Sequence, residues 1–464
     1  MSPLWTSDEI AEATGGTVSA PFGVTGVTFD SREVGPGDLF VAMPGTVHDG
    51  HKFVEAAFAA GAAGVIVSQP VDGPHVLVGD TFAALQALAR TARERAHAKI
   101  VGVTGSVGKT STKEALHAAL DRSHPAKVHR SVKSYNNHTG VPLSLARMPR
   151  DSAYAIFEMG MNNPGEIAAL TRLVRPHLAL ITAIAPAHIE HLGSEEAIAD
   201  AKAEIFQGLE PDGIAVLPND SAHRDRLVKA ARRYADRIIT FGGGDADVHA
   251  VHAVGADGGG SLITAALLER ELTFTISQRG EHWVTNALAV LASVEALGAD
   301  VALAGLALAD MGGLKGRGQR HHVPIDGGEL LLIDESYNAN PASMAATLKS
   351  LGAEREARRR IAVLGPMREL GSHSDALHAG LAPAVLDAHV DELILIGEEM
   401  RPLAEQVVGK VSLDLVFSVD EAIDGLLAKV HPGDAVLVKA SNSVGLAKLV
   451  ERMAAGVGER ACST

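Results

Sequence analysis

Short uninterrupted apolar runs recur along this chain, each followed by a longer stretch with helical spacing. Runs of this kind read as strands buried on both faces, and their alternation with helices predicts a parallel sheet covered on both sides. In the first 98 residues the predicted strands are 24–29, 39–42, 64–67 and 76–78, with Ala-rich helices at 54–60 and 82–96. Gly and Pro punctuate them. From residue 99 the alternation lengthens, with strands at 100–104, 154–157 and 178–184 and a helix at 108–120. Between 238 and 277 the pattern changes to short alternating strands with a glycine turn at 258–260, and a helix follows at 282–297. A third βα series begins near 313, with strands at 330–333, 361–364, 393–396 and 435–438. Gly312-Gly-Leu-Lys-Gly-Arg-Gly318 suits a hinge before it. The reading is an α/β protein of three domains, 1–98, 99–312 and 313–464. No solenoid repeat or low-complexity tail interrupts them.

Length agrees, since 464 residues fit three domains of about 150 each. Aromatics make up only 4%, so aliphatic side chains must fill the cores. A net charge of -15, from 41 basic and 56 acidic residues, argues against nucleic-acid or anionic-membrane binding. The one cysteine, Cys462, excludes an intrachain disulfide framework and a Cys-based zinc site, and fits a reducing compartment. The start of the chain lacks a basic region followed by an apolar run, so no signal peptide is expected. No run approaches the roughly 18 apolar residues of a membrane span. A cytoplasmic monomer is the expectation.

The strongest chemical signal is Ile100-Val-Gly-Val-Thr-Gly-Ser-Val-Gly-Lys-Thr-Ser111. An apolar strand leads through a glycine-rich turn into a helix. Glycines let backbone amides face phosphate oxygens, and the helix N-terminus adds partial positive charge. The candidate phosphate-binding residues are Thr104, Gly105, Ser106, Val107, Gly108, Lys109, Thr110 and Ser111. Lys109 would reach the β- and γ-phosphates, and the Thr110 hydroxyl would face magnesium. Val103 stands where the strict pattern has glycine, so the loop is a variant. The flanking strand and helix weigh against a chance Gly-Lys-Thr.

Glu158 and His188 each follow a predicted strand. Ligands in an open parallel sheet gather beyond the carboxyl ends of the strands, so both would share an edge with the phosphate loop. Each is a metal ligand or charge balancer near phosphate, or else an ordinary strand-end acid and loop histidine. His191 raises a zinc pair, against which stand the lack of a Cys and of a clear third ligand. Lys202 falls within the apolar stripe of a helix predicted at 194–209, beside Ile198, Ile205 and Leu209. A lysine there must snorkel, pair or be modified. Asn136-Asn-His-Thr-Gly140 precedes a helix and could contact phosphate or substrate, or be only a turn.

These pieces, in order over the whole chain, resemble the Mur ligases of bacterial cell-wall synthesis. Thr104-Gly-Ser-Val-Gly-Lys-Thr110 looks like the family's ATP loop, and Asn136-Asn-His-Thr-Gly140 like its Asn-Asn-x-x-Gly segment, which implies a substrate contact for Asn137. Thr110, Glu158 and His188 match ligands of two magnesium ions. Lys202, in Ala201-Lys-Ala-Glu-Ile-Phe206, matches the lysine that the family carbamylates with carbon dioxide. Asn286, closing Gly280-Glu-His-Trp-Val-Thr-Asn286, together with Arg317 and Asp334, matches nucleotide contacts. The resemblance implies catalytic roles for Lys109, Lys202, Glu158 and His188.

Asp334-Glu-Ser-Tyr-Asn-Ala-Asn-Pro-Ala-Ser-Met344 and Val363-Leu-Gly-Pro-Met-Arg-Glu-Leu-Gly371 resemble runs of the members that add D-alanyl-D-alanine. That implies substrate contacts for Asn338 and Asn340. Phe29-Asp-Ser-Arg32, Pro36-Gly-Asp-Leu-Phe-Val-Ala42 and Asp49-Gly-His51 look like the UDP-sugar-peptide module, with Ser31 and Arg32 as contacts. The Asp-Asn-Pro-Arg pattern of diaminopimelate recognition is missing. Two departures stand out: Pro366 where Asp is usual, and Asn442 where Val-Lys-Gly-Ser-Arg usually ends in Arg.

The implied fold is α/β, with a small N-terminal α/β substrate module, a central P-loop-type parallel-sheet ATPase domain and a C-terminal Rossmann-like α/β domain that closes on ATP. The implied partners are ATP, two magnesium ions, UDP-N-acetylmuramoyl-tripeptide and D-alanyl-D-alanine, joined through an acyl phosphate. Two alternatives are another amide-forming ligase of this fold and an ATP-hydrolysing switch.

Overall fold

The computed structural model describes residues 3–45, 49–186, 189–256 and 260–455. His188, Cys462 and the first two glycines of the 258–260 turn lie outside the described residues.

The N-terminal unit is a five-stranded sheet in the order Thr17–Val18, His75–Leu77, Gly64–Val67, Asp38–Val41, Gly26–Thr28, parallel except for its first pair. The predicted strand 24–29 is in fact two pieces. Gly23–Val24 pairs with Trp5–Thr6 in a separate ribbon, and Gly26–Thr28 joins the sheet. Gly26 lies close against its neighbour strand: a Cβ there would sit 2.2 Å from Asp38 Oδ1. The helix predicted at 82–96 spans Thr81–Glu94, capped by Asp80, whose carboxylate accepts from Phe82 N and Ala83 N.

The central sheet has nine strands, in the order Glu271–Ile276, Ser261–Ala266, Val248–Gly255, Arg237–Gly242, Ile214–Pro218, Leu178–Ile181, Lys99–Thr104, Tyr154–Glu158, Val128–Arg130. The first two additions, 261–266 and 271–276, are antiparallel and the rest are parallel. Strand Lys99–Thr104 feeds both faces by alternation. Val101 and Val103 pack toward helices Lys109–Asp121 and Glu281–Ala296, while Ile100 packs with Phe157 and Ile198 on the other side. The predicted strand 178–184 stops at Ile181. Beyond it the chain turns over the phosphate loop, where Ala183 O accepts from Ser106 N at 2.8 Å. The helix predicted at 194–209 is α-helical over Glu195–Ala203 and tightens to 3-10 over Glu204–Gly208. Thr171 Oγ1 donates to Ile205 O there, and a Cβ on Gly208 would sit 2.2 Å from Thr171 O, so only glycine permits this approach.

The third sheet has six strands, in the order Gln319–Ile325, Gly328–Glu335, Asp434–Lys439, Arg359–Leu364, Glu392–Ile396, Ser412–Val416. The first pair is an antiparallel hairpin and the others are parallel. Among the described residues no helix is long and apolar enough to cross a membrane.

Buried polar ties join the first unit to the second. Trp5 Nε1 donates to Ala146 O at 2.8 Å, with the Arg95 guanidinium 3.5 Å over its ring. Arg93 donates to Val174 O and Arg175 O, both at 2.7 Å, and pairs with Glu210 at 3.1 Å. Arg93→Met keeps the packing stem but strands those acceptors. It should lower resistance to urea by about 2–3 kcal/mol, the scale of charged hydrogen bonds lost from a buried site. An unchanged unfolding midpoint would mean that Arg93 does not brace this junction.

Candidate active site

The phosphate loop leaves the sheet where Lys99–Thr104 lies between Tyr154–Glu158 and Leu178–Ile181. Gly105 has φ +152° and Gly108 φ +82°. A Cβ on Gly105 would meet Thr182 Oγ1 at 1.9 Å, so the glycine is sterically required. Thr182 Oγ1 donates to Val107 O, and Ser106 Oγ donates to Ala185 O at 2.9 Å. Helix Lys109–Asp121 begins after Gly108 with no side-chain cap. Its first N–H groups are therefore left for an anion. Lys109 Nζ donates to Gly105 O at 2.7 Å, folded back across the loop. Asn286 hangs over Gly108, where an added Cβ would sit 3.0 Å from its Oδ1. Thr104 and Gly105 lie beneath the cavity; Ser106, Val107, Gly108, Lys109, Thr110 and Ser111 line it. Thr104 Oγ1 is buried with no hydrogen-bond partner among the described residues.

Glu158 is 1% exposed and faces this loop. Its Oε2 accepts from Thr110 Oγ1 at 2.9 Å and its Oε1 from Asn136 Nδ2 at 2.8 Å. Lys113 Nζ stands 3.9 Å from Oε2 and donates to Ser131 O and Lys133 O. Sequence reasoning missed Lys113, and within the segment Asn136-Asn-His-Thr-Gly140 it named Asn137 as the contact instead of Asn136. Lys113 lies three residues after Thr110, which puts both on one helix face, a signal that helical spacing offered.

Lys202 is 1% exposed, as its place in an apolar stripe implied. Burial drives its pKa well down, and the nearby charge of Lys109 adds to this. Among the described residues its amine has no hydrogen bond or ion pair.

A cavity of about 520 Å³ separates this loop from the C-terminal sheet. Glu158, Asn136, His282 and Asn286 line one wall; Arg317, Glu335, Tyr337, Asn338, Asn340 and Lys439 line the other. The Arg317 guanidinium lies 4.2 Å over the Tyr337 ring. Lys439 Nζ is 3.4 Å from Glu335 Oε2 and donates to Asn338 O at 3.0 Å. Burial raises the Glu335 pKa and lowers that of Lys439. Asn340 Oδ1 caps helix Pro341–Gly352 through Ser343 N.

The other predicted residues sit elsewhere. Asp334 is buried, and accepts from Gly316 N at 2.8 Å, Ser336 N at 3.1 Å and Ser336 Oγ at 2.6 Å. It braces the segment before the third sheet instead of lining the cavity. Asn137 Oδ1 accepts from Thr139 and from Gly140 N, so it orders the helix start while Asn136 reaches the cavity. Ser31 and Arg32 lie on the N-terminal unit, with exposed Arg32 paired to Asp30 at 2.6 Å. Their neighbour Glu33 accepts from Lys133 and from Tyr135 OH at 3.2 Å, which ties that segment to the Asn136 loop. Pro366 and Asn442 lie on adjoining loops, where Ser441 N donates to Pro366 O at 3.2 Å.

Residues 103–294 match the Mur ligase middle domain, 316–442 the Mur ligase glutamate ligase domain, and 23–119 the Mur ligase family catalytic domain. The UDP-N-acetylmuramoyl-tripeptide–D-alanyl-D-alanine ligase of Rickettsia prowazekii is 33% identical over 97% of this chain and 99% of its own. The chain belongs to the Mur ligase family. The Bacillus subtilis ligase of the same name is 34% identical, over 96% of this chain and 97% of its own. Among solved structures, MurF from Acinetobacter baumannii superposes with TM-score 0.83 at 28% identity, covering 97% of this chain and 99% of that one. MurF from Thermotoga maritima in complex with ADP gives 0.78 at 28%, covering 94% and 99%. The three-domain α/β reading and the family resemblance are borne out.

In this Mur ligase, burial pushes the His282 imidazole down to about 4, with the Lys439 charge adding to the effect. Free histidine titrates near 6.5, so below about that pH the unfolded chain binds the proton first. This contribution to stability is therefore intact at neutral pH and is lost as pH falls from about 6.5 toward 4. An NMR titration should find the His282 ring signals unmoved down to about pH 5. A midpoint near 6.5 would show the ring to be solvated.

Proposed function

We propose that this Mur ligase joins D-alanyl-D-alanine to UDP-N-acetylmuramoyl-tripeptide, forming the pentapeptide precursor while ATP becomes ADP and phosphate. One observation carries the reading. The phosphate loop and Glu158 open into the same cavity as Asn338, Asn340 and Lys439, from the runs that resemble the dipeptide-adding members. Full-length relatives bearing that name support it. The working units are 1–98 for the UDP-sugar-peptide, 99–312 for ATP and 313–464 for the dipeptide, in a cytoplasmic enzyme.

The tripeptide's terminal carboxylate attacks the γ-phosphorus and ADP leaves; the dipeptide amine then attacks the acyl carbon and displaces inorganic phosphate. Lys109 exchanges its bond to Gly105 O for the phosphates and offsets charge on the transferring group. Loop amides from Ser106 to Ser111 cradle the polyphosphate, Asn286 and Arg317 hold the nucleotide from opposite sides, and Asp334 keeps the Arg317 segment in place. Ser31, Arg32 and Asn137 orient the UDP substrate.

Magnesium fits the residues present. A hydroxyl and a carboxylate already 2.9 Å apart are hard oxygen donors. Thr110 and Glu158 would hold one ion, and Glu158, His188 and carbamylated Lys202 the other. When bound, the ions supply positive charge for phosphoryl transfer. The Lys202 amine is buried and has no anionic partner among the described residues, which suits addition of carbon dioxide: an N–C bond forms, one proton leaves, and the product is a carbamate anion.

Phosphate release from Mg-ATP should need both UDP-tripeptide and D-alanyl-D-alanine, with pentapeptide seen by mass spectrometry. Release indifferent to the dipeptide would refute the assignment. With ¹³C-bicarbonate, a carbamate carbon signal is expected in the wild type and not in Lys202→Ala, whose ligation rate should drop at least about 100-fold, the scale of losing a charge-stabilising group. Full activity in Lys202→Ala would remove the carbamate from the scheme.

A further inference from the structure

An incoming dipeptide carries its amine as an ammonium, which cannot attack an acyl phosphate until a proton leaves. Among the described residues lining the cavity beside the phosphate loop, the charged side chains are already engaged. Lys109 is committed to the phosphates, and both oxygens of Glu158 already accept from Thr110 and Asn136. On the facing wall, Asp334 is turned inward onto Gly316 and Ser336. That leaves Glu335, the carboxylate lining the C-terminal wall.

Glu335 ends strand Gly328–Glu335 directly beside Lys439, its register partner on the neighbouring strand. Its side chain is 14% exposed. Oε2 meets Lys439 only at 3.4 Å, and Oε1 accepts no hydrogen bond among the described residues. The carboxylate is thus fixed at one oxygen, and its side chain lines the cavity that holds Asn338 and Asn340. Charged groups acting on it are Lys439, Arg317 and Asp334.

We propose that Glu335 is the general base of the amide-forming step, taking the proton of the dipeptide ammonium while Lys439 holds the carboxylate in position. This rests on the dipeptide-ligase reading above. One N–H bond breaks and an O–H bond forms on Glu335. The freed amine pair forms the C–N bond, phosphate leaves with the C–O electrons and carries off the second amine proton as hydrogen phosphate, and the first proton passes from Glu335 to solvent with the products. Burial strengthens Glu335 as a base relative to an ordinary carboxylate, whereas burial and the Lys439 charge weaken the other basic group on the cavity, His282. The negative charge of Glu335 also attracts the ammonium, which a neutral imidazole does not.

The test separates acyl-phosphate formation from deprotonation. Hydroxylamine is largely unprotonated at neutral pH and traps acyl phosphates without needing a base. Wild type and Glu335→Gln are given Mg-ATP and UDP-tripeptide, with either hydroxylamine or D-alanyl-D-alanine as acceptor. In Glu335→Gln, hydroxamate should form within about twofold of wild type while ligation falls about 100-fold or more, the range of general-base catalysis. The residual ligation should climb with pH as free amine accumulates, and Glu335→Asp should restore part of it. Parallel loss of both reactions would make Glu335 structural and overturn the proposal, as would unimpaired ligation. The same signature in Lys439→Gln with an active Glu335→Gln would move the role to the lysine. If wild type yields neither hydroxamate nor phosphate, the ligase reading itself fails and Glu335 falls with it.

Discussion

The burial of Glu158 is the constraint around which the central domain is arranged. An ionised carboxylate removed from water is costly unless hydrogen bonds replace its hydration. Here two separate parts of the chain face it: the helix after the phosphate loop, with the Thr110 hydroxyl and the more distant charge of Lys113, and the loop before helix Gly140–Ala146, with the Asn136 amide. Ser131 Oγ accepts from the Glu158 backbone N–H at 3.0 Å and joins the edge strand to the same network. Removing any one member would leave a buried charge short of a partner. The network therefore holds the loop, the helix and the strand end in one register.

That network reaches the N-terminal unit. Lys113 donates to Lys133 O, Lys133 and Tyr135 donate to Glu33, and Glu33 follows the Ser31-Arg32 segment. A residue proposed for the UDP substrate is thereby connected through continuous polar contacts to the carboxylate proposed for magnesium. On the other side, buried Glu354 accepts from Arg279 and from Arg320, both within 2.9 Å. Arg279 precedes helix Glu281–Ala296 of the central domain, while Arg320 belongs to the third sheet and Glu354 follows helix Pro341–Gly352. The cavity between the two walls depends on this junction, because each wall alone offers only half of the chemistry.

Much of this was legible in the sequence because strands buried on both faces leave uninterrupted apolar runs. Lys99–Thr104, Gly64–Val67 and Arg359–Leu364 were all readable for that reason. Lys202 was legible as an anomaly, since a lysine in an apolar stripe contradicts its surroundings, and it is buried. Edge strands were not: Gln319–Ile325 and Ser412–Val416 carry polar residues on partly exposed faces and lack the run. Nor could sequence choose between Asn136 and Asn137, or foresee that Asp334 turns inward while Glu335 faces the cavity. Neighbouring side chains on a strand or turn point opposite ways, and only tertiary contacts decide which points where.

The two departures from the family runs become intelligible once their neighbourhood is known. Pro366 is buried and uses only its carbonyl, which accepts from Ser441 N; proline offers no N–H, and the partner there requires none. Asn442 is exposed on the adjoining loop, one residue past that contact. An acid is absent at one position and a base at the other, so the pair of changes removes one charge of each sign from the same small region. The cations that remain on this wall, Arg317 and Lys439, face the cavity directly, so carboxylate recognition by the third domain has chemical support without an arginine at 442.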